Sequence, residues 1–380
     1  MNSQPTIDRD ETGGEAVVVA RLIEDARAAM AEYESANQAR VDEAVTALAW
    51  SIYKPERAKE LAELAVTDTG LGNVESKIIK NQRKTFGCLR DLMRVRTVGV
   101  IEELPEKGLV KYAKPVGVVA AIAPSTNPAA TPVNKAMFAI KGGNAVIVAP
   151  SPAGRNTTTK TCEYMRAELE KIGLPANLVQ VLPAPVNKAL TQELMNQSDL
   201  VVCTGSQNNV RRAYSSGTPA IGVGAGNVPV IIDSTADLAD AAEKIMLSKC
   251  FDNATSCSSE NSVTIVEDVY ENAIKALQAA GGYLCTTADK QNIQDTLWID
   301  GHLNRKVIAK DPDVFARTCR LPEVAESAKF FMVEDEKGVG KGMPFSDEKL
   351  SLALTVYKAR DFSEAKAHVQ NVLDFVGMGH

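Results

Sequence analysis

The opening part of the chain alternates apolar and charged positions at helical spacing. Between Ala16 and about Met93, apolar residues recur every three or four positions, with charged residues between them. This spacing places the apolar side chains on one face of each helix, where a core can bury them. The pattern therefore predicts a helical segment at the start of the chain.

After Val110, short β-branched runs alternate with amphipathic stretches. In chain order these predict the strand Val116–Ile122, the helix Pro132–Ile140, the strand Ala145–Val148, the helix Thr157–Lys171, the strand Leu178–Leu182, the helix Lys188–Met195, the strand Leu200–Cys203, a helix from Ser206 and the strand Val228–Ile232. Such apolar strands are typical of a parallel sheet that helices cover on both faces. We expect an α/β fold that binds its ligand where strands end and helices begin.

A second set of elements starts with the predicted helix Leu238–Leu247 and the strand Ser262–Val266. The 380 residues are enough for two cores. We place the domain boundary near Asp233, between an N-terminal part at 1–233 and a C-terminal part at 234–380.

Charge and hydropathy narrow the class of protein. The net charge is -6, without runs of like charge, so the chain offers no basic surface to nucleic acid. The polar, acidic stretch Met1–Glu15 does not resemble a signal peptide, and no apolar run is long enough to cross a bilayer. We expect a cytoplasmic protein that binds neither nucleic acid nor membranes. The chain stops in mid-pattern at His380, and we expect a missing C-terminal part.

One of the seven cysteines is a candidate nucleophile. The cysteines are scattered and form no CxxC pair, which suits neither a disulfide framework nor a metal site. Six are expected to be buried thiols. Cys257 lies in FDNATSCSSENSV, Phe251–Val263, after an Asp-Asn turn and before a strand. Its neighbours are small hydroxyl residues, Thr255, Ser256, Ser258 and Ser259. They are poor core material, so we expect an accessible thiol on a loop.

Two other predicted strands end in turns that suit ligand binding. The first turn reads Pro-Ser-Thr-Asn-Pro, and the amide of Asn127 either donates to a developing oxyanion or closes an Asx-turn. In the second, a strand runs through Thr204 and Gly205 into a helix capped by Ser206. Backbone N–H groups at that helix start suit a pyrophosphate, although the local pattern by itself favours an ordinary capped helix.

A glycine-rich segment, Gly222–Asp233, precedes a strand. This order is the reverse of the nucleotide-binding GxGxxG motif, so the segment is not a Rossmann fingerprint. Its glycines serve close packing or the approach of a ligand.

These segments, together with GGNAVIVAPSP at Gly142–Pro152, occur in the order seen in aldehyde dehydrogenases. The resemblance extends over essentially the whole chain. The motifs STNP, GVGAGNVP and FDNATSCSSE resemble those of the coenzyme-A-acylating branch. This branch includes the N-terminal domain of bifunctional aldehyde/alcohol dehydrogenases. It implies an aldehyde dehydrogenase fold, with a Rossmann-like parallel-sheet cofactor domain, an α/β catalytic domain and assembly into a homo-oligomer.

The resemblance also implies the site, position by position. Cys257 matches the nucleophile and Asn127 the oxyanion donor, while no residue matches a metal ligand. The implied cofactor-binding residues are Ser125, Thr126, Ser151, Pro152, Thr204, Gly205, Ser206, Gly222, Val223, Gly224 and Glu348. Of these, Glu348 matches the glutamate that reaches the nicotinamide ribose, and Ser151 and Pro152 follow the strand that borders the adenosine ribose.

The implied reaction oxidises a short aldehyde with NAD or NADP through a cysteinyl thioester, which coenzyme A then takes up as co-substrate. Hydrolytic members carry a glutamate at the head of the glycine segment, where this chain has Gly222, Val223 and Gly224. They also carry a lysine in the ribose-side strand, where this chain has Ala149, which leaves the choice of NAD or NADP open.

Two alternatives remain, a hydrolytic enzyme that releases a free acid and an inactive nucleotide-binding or assembly fragment. Within the acylating branch, NATSCSSENSV, PSTNPAATP and PAPVNK are most similar to members that convert sulfoacetaldehyde to sulfoacetyl-CoA.

Overall fold

In the computed structural model the chain divides into two compact units, Met1–Thr69 with Lys77–Val223, and Gly70–Ser76 with Gly224–His380. The structure describes residues 12–224, 226–336 and 338–377. Ala225 of the glycine segment, most of the acidic N-terminal stretch and the chain end at His380 lie outside the described residues. The domain boundary near Asp233 stays a prediction.

The first unit contains the helices Thr12–Tyr33 (α1), Gln38–Tyr53 (α2), Pro55–Thr69 (α3), Ala130–Lys141 (α5), Arg155–Lys171 (α6), Lys188–Gln197 (α7) and Gln207–Tyr214 (α8), together with all but the first turn of Val74–Leu92 (α4). Its strands are Gly99–Leu104 (β1), Leu109–Ala113 (β2), Val118–Ile122 (β3), Ala145–Ala149 (β4), Val179–Val181 (β5), Leu200–Thr204 (β6) and Ala220–Val223 (β7). The predicted helical opening and the alternation of strands and helices are confirmed.

The parallel sheet of this unit has the strand order β5-β4-β3-β6-β7. Every residue of β3 and β4 is buried, because α5 and α6 and the N-terminal helices cover these Val, Ile and Ala side chains. The chain moves outward from β3 through β4 to β5 and then returns to place β6 on the other side of β3. The edge between β3 and β6 is therefore a topological switch point, where sheets of this kind bind ligands.

The antiparallel hairpin of β1 and β2 was missed in the sequence. Ile101, Leu109, Val110 and Tyr112 are all exposed on it. Because the hairpin has no buried face, it lacks the alternation of apolar and polar positions that marks a half-buried strand.

The second unit contains the helices Leu238–Cys250 (α9), Tyr270–Ala279 (α10), Thr287–Leu297 (α11), Pro312–Thr318 (α12) and Phe362–Val376 (α13). Its strands are Pro229–Ile232 (β8), Ser262–Val266 (β9), Gly282–Leu284 (β10), Trp298–Ile299 (β11), His302–Leu303 (β12), Phe330–Glu334 (β13) and Ala353–Ala359 (β14). A parallel sheet in the order β10-β13-β14-β9-β8 forms its centre, and β11 pairs with β12. The predicted α/β class is confirmed in both units.

Among the described residues, no helix has the length and apolar character needed to span a bilayer. In the same part of the chain, no three His, Cys, Asp or Glu side chains form a group that could hold a metal ion.

Candidate active site

Three turns of the first unit lie at one edge of its sheet. Ile122, the last residue of β3, pairs with Ala149 at the end of β4 and with Cys203 near the end of β6. The turns that follow these strands carry the predicted site residues around Asn127, Ser151 and Thr204. Parallel strands bring them to the same edge, at the switch point between β3 and β6.

The turn after β4 packs directly on the turn after β3. Thr158 donates a hydrogen bond from Oγ1 to the carbonyl oxygen of Pro128 at 2.8 Å. A Cβ atom on Gly154 would lie 2.7 Å from Cβ of Pro128, so this close approach requires glycine. Ser151 closes its own turn, since its Oγ accepts from the N–H of Gly154 at 3.2 Å, and Pro152 beside it is exposed.

Two buried lysines of α4 hold the Asn127 turn. Lys80 donates from Nζ to Oδ1 of Asn127 at 3.0 Å, and Lys77 donates to the carbonyl oxygen of Thr126 at 3.5 Å. Nδ2 of Asn127 lies 3.4 Å from Oγ1 of Thr126. Ser125, Thr126 and Asn127 are half-buried. Among the described residues no backbone N–H donates to Oδ1 of Asn127, so the turn is not an Asx-turn.

A third buried lysine joins the two strands of the switch point. Lys135 on α5 donates from Nζ to the carbonyl oxygens of Ile122 at 2.6 Å and Val202 at 2.8 Å. Burial lowers the pKa of this ammonium group to about 7. Lys135 therefore fixes the spacing of β3 and β6 where the two turns begin.

Sequence reasoning missed these lysines, although α4 carried a signal for two of them. Its buried positions are Lys77, Lys80, Asn81 and Thr85, which recur at helical spacing. A helix face that packs inward is normally apolar. A polar stripe at that spacing indicates buried side chains that hydrogen-bond to other parts of the structure.

The turn after β6 leads into a capped helix, as predicted. Oγ of Ser206 accepts from the N–H of Asn209 at 3.4 Å, and Thr204 and Gly205 are half-buried before it. A cavity of about 700 Å³ adjoins this helix start. Its lining is basic and polar and includes Lys188, Gln192, Ser206, Arg211 and Arg212. Cationic side chains and the first turn of α8 suit an anionic pyrophosphate, so the residues present fit a dinucleotide.

The glycine segment begins inside a strand that the sequence analysis missed. Gly222 and Val223 end β7 and pair with Cys203 and Thr204 of β6. A Cβ atom on Gly222 would lie 2.7 Å from Cγ1 of Val210, so Gly222 serves the close packing of β7 on α8. Gly224 belongs to the second unit.

Cys257 lies in the second unit and is the one exposed cysteine of the seven, all of which the structure describes. Cys162, Cys203, Cys285 and Cys319 are buried, and Cys88 and Cys250 are half-buried. The expectation about its neighbours was wrong in part, because Thr255, Ser256 and Ser259 are buried and Ser258 alone of the four is exposed. Small hydroxyl side chains fit inside this tight loop, and Thr255 donates to the carbonyl oxygen of Asp252.

The exposure of Cys257 follows from the course of the backbone before it. Asp252, Asn253 and Ala254 have φ angles of 52°, 52° and 59°. All three are in the left-handed conformation, which L-amino acids other than glycine rarely adopt. Side-chain contacts hold this run in place. Oδ1 of Asp252 accepts from the N–H of Asn73 at 2.9 Å, and Asn253 donates to Oδ1 of Asp311 at 2.7 Å.

The segment that carries Glu348 is tied to the Cys257 loop within the second unit. The N–H of Lys349 donates to Oδ1 of Asn261 at 2.9 Å, three residues after the exposed pair of Cys257 and Ser258. Asn227, in the glycine segment, donates to the carbonyl oxygen of Ser346 at 2.7 Å. The unit thus brings together three segments that the sequence separates.

Glu348 is half-buried and interacts with two fully buried lysines, Lys249 and Lys349. Burial raises the pKa of Glu348 to about 7, against the opposing effect of Lys349 and Lys249. Lys249 is fully buried, donates to the carbonyl oxygen of Glu260 at 2.8 Å and has a pKa lowered by burial to about 7. A carboxyl group that changes ionisation near neutral pH is a frequent feature of functional sites.

The two units together define a class of enzyme. The first unit presents strand-end turns and a basic cavity suited to a dinucleotide. The second presents a single exposed thiol on a constrained loop. A dinucleotide site and a thiol nucleophile are the two features that a thiol-dependent oxidoreductase requires. Residues 9–292 match the aldehyde dehydrogenase family, and the chain belongs to that family.

Its relatives include acylating and acetylating aldehyde dehydrogenases. The chain is 52% identical to the sulfoacetaldehyde dehydrogenase (acylating) of Cupriavidus necator, over 96% of this chain and 74% of that protein. Its fold matches an acetylating aldehyde dehydrogenase of Geobacillus thermoglucosidasius with a TM-score of 0.92 and 36% identity, over 98% of this chain and 82% of the other. It also matches a propionaldehyde dehydrogenase of Rhodopseudomonas palustris with bound CoA and an acylated cysteine, with a TM-score of 0.81 and 25% identity, over 93% and 80% of the two chains.

Proposed function

We propose that the protein oxidises a short aldehyde to its acyl-CoA with NAD or NADP, and that the aldehyde is sulfoacetaldehyde. The observation that carries the reaction type is the exposure of Cys257 on a backbone constrained by Asp252 and Asn253. The choice of aldehyde rests on the relative from Cupriavidus necator, which is similar over nearly the whole chain.

In the first half-reaction the thiolate of Cys257 adds to the aldehyde carbon and forms a thiohemiacetal. The oxyanion accepts hydrogen bonds from Nδ2 of Asn127 and from the backbone N–H of Cys257. The nicotinamide supplies the hydride acceptor. Loss of hydride leaves a thioester on Cys257, which stores the acyl group for transfer.

In the second half-reaction the thiolate of coenzyme A attacks the carbonyl carbon of the thioester. A new C–S bond forms as the bond to Cys257 breaks, so one thioester replaces another and Cys257 leaves as thiolate for the next cycle. Gly222, Val223 and Gly224 provide no carboxylate to activate water. The acylated cysteine of the Rhodopseudomonas palustris enzyme supports the same covalent route here.

The turns at the sheet edge are the proposed cofactor contacts. Ser125 and Thr126 line the turn after β3, Ser151 and Pro152 the turn after β4, and Thr204, Gly205 and Ser206 the turn after β6. Glu348 would hold the ribose of a bound nicotinamide cofactor, and the cavity beside Ser206 would hold its phosphates.

The rival is a hydrolytic aldehyde dehydrogenase that releases a free acid. An assay of cofactor reduction with and without coenzyme A separates the two. We expect sustained turnover with coenzyme A and at most one equivalent of reduced cofactor per chain without it. Sustained turnover to free acid in the absence of coenzyme A would reject the acylating assignment.

A further alternative is an inactive nucleotide-binding or assembly fragment. We also propose that the protein is a homo-oligomer in the cytoplasm. Measurement of the molecular mass in solution, on the preparation used for the activity assay, tests the homo-oligomer. A preparation that binds NAD but reduces none with any aldehyde would favour the fragment.

A further inference from the structure

Asn127 has two chemically different ends, and only one of them can stabilise an oxyanion. Its Nδ2 is a donor and its Oδ1 is an acceptor, and an oxyanion is stabilised by donors. A half-turn of the amide would present the oxygen instead and repel the developing charge. The proposed role of Asn127 therefore requires that something fix the orientation of the amide.

Lys80 meets that requirement. Its ammonium group carries donors and no acceptor, so it can bond Oδ1 of Asn127 but not Nδ2. The distance from Nζ to Oδ1 is 3.0 Å, and Lys80 is 2% exposed. In the flipped amide the ammonium would face the NH2 group, another donor, in place of an acceptor, and the loss of this hydrogen bond is costly away from water.

The bond also affects the strength of the donor. A positively charged donor that bonds the oxygen of an amide draws electron density away from the amide nitrogen. Hydrogen bonds linked in this way, through one amide group, strengthen one another. Among the described residues, the nitrogen of Asn127 donates to Oγ1 of Thr126 over a long 3.4 Å, and so keeps donor capacity for a ligand.

We propose that Lys80 is a positioning residue for the aldehyde oxidation step, which fixes and polarises the amide of Asn127. This inference rests on the proposed function of Asn127 as the oxyanion donor. Lys80 acts through Asn127 and does not touch the aldehyde.

The test is a double-mutant cycle on the first half-reaction. Lys80→Met keeps the length of the side chain and removes the ammonium, and Asn127→Ala removes the amide. The readout is the rate of the first-turnover burst of reduced cofactor, with the Kd of the cofactor measured separately. We expect Asn127→Ala to slow the burst by about 10² to 10³ and Lys80→Met by about 10 to 10². The Kd of the cofactor should change in neither variant.

The decisive result is the double variant. If Lys80 acts through Asn127, the double variant is no slower than Asn127→Ala alone, because the residue that Lys80 orients is already absent. Multiplied losses would assign Lys80 a separate structural role and overturn the inference. Lys141→Met is the matched control, since Lys141 is also buried and pairs with Asp42 away from the turn. It should lower Tm and leave the burst rate unchanged.

The remaining outcomes separate the two levels of the proposal. A wild-type burst rate in Lys80→Met with a slow Asn127→Ala would reject the inference and leave the proposed function standing. An unchanged rate in Asn127→Ala would reject the oxyanion assignment and the inference with it. Coenzyme-A-dependent turnover of the wild-type protein, measured first, tests the proposed function independently of both.

Discussion

Oδ1 of Asp252 lies 1.9 Å from the position that a Cβ atom on Gly72 would take. Gly72 has a φ of 71°, and the next residue donates its N–H to the same oxygen. The Cys257 loop is therefore packed against a backbone that tolerates no side chain at this point. The glycine lies far from the loop in sequence, and its place beside Asp252 makes it part of the loop's support.

Gly72→Ala should destabilise the protein and impair the Cys257 loop. Alanine at a left-handed φ costs about 1 kcal/mol, and overpacking against Asp252 adds about 1 to 3 kcal/mol. Gly108→Ala is the matched control, because Gly108 has a φ of 60° with nothing within 4 Å of the added Cβ. Tm and burst amplitude measure the two effects. Equal losses in both variants would show that the contact with Asp252 has no special weight.

Cys257→Ala should abolish turnover and leave cofactor binding intact. The thiol forms the covalent bond to the substrate but does not hold the nucleotide. Cofactor affinity is measured by fluorescence titration and turnover by reduction of the cofactor. Cys250→Ala, a half-buried cysteine on α9, serves as the control and should remain active. Residual activity of Cys257→Ala near that of the wild type would place the nucleophile elsewhere.

Sulfoacetaldehyde should be preferred to acetaldehyde in kcat/KM by a factor of about 10² to 10⁴. A fixed sulfonate loses its water shell, so the pocket must supply cationic or N–H donors, which the neutral analogue leaves unpaired. Propionaldehyde is the control for size without charge. Equal kcat/KM values for the three aldehydes would reduce the assignment to a generic short-chain acylating enzyme.

The KM for the cofactor should fall as the pH rises through about 7, the value to which burial raises the pKa of Glu348. The ionised carboxylate is the better acceptor for the ribose hydroxyls. Glu348→Gln should lose this pH dependence, while Glu243→Gln, an exposed position on α9, should keep it. A profile that persists in Glu348→Gln would assign the ionisation to another group.

Glu348 also links stability to pH, with a definite sign. Its pKa is about 7 in the folded state against 4.5 for the ordinary value, so the folded state holds the proton more tightly. Its contribution to stability is present at low pH and is lost as the pH rises from 4.5 towards 7. The difference between the Tm of Glu348→Gln and that of the wild type should therefore become more positive as the pH rises over this range, because Gln does not ionise. A constant difference in Tm would contradict the raised pKa.

The elements that pack on both faces of the sheet could be predicted from sequence, because burial leaves a strong apolar signal. The strand at Leu200–Thr204 and the cap at Ser206 are examples. β7 was missed because its Gly222 carries no side chain and appears as a loop residue. Its glycine is needed by Val210 on α8, a tertiary contact that no local pattern reveals.

The candidate site divides in the same way. Asn127 and Cys257 stand in recognisable local contexts, a strand-end turn and a loop of small residues. Lys80 does not, because its importance lies in a partner 47 positions away. The sequence also did not predict that Ser256 and Ser259 are buried. Whether a small polar residue is buried depends on the path of the backbone around it.

The difference in exposure between Cys257 and the other cysteines allows the active sites in a preparation to be counted by chemical labelling. Burial raises the pKa of Cys88 and Cys250 to about 11 and of Cys162 and Cys319 to about 12, so these groups remain protonated and slow to react at neutral pH. A limited dose of alkylating reagent should therefore add one label per chain, and its mass increment counts the competent sites in a preparation. The same exposure opens Cys257 to peroxide, so the working fraction of the enzyme follows the redox state of its surroundings.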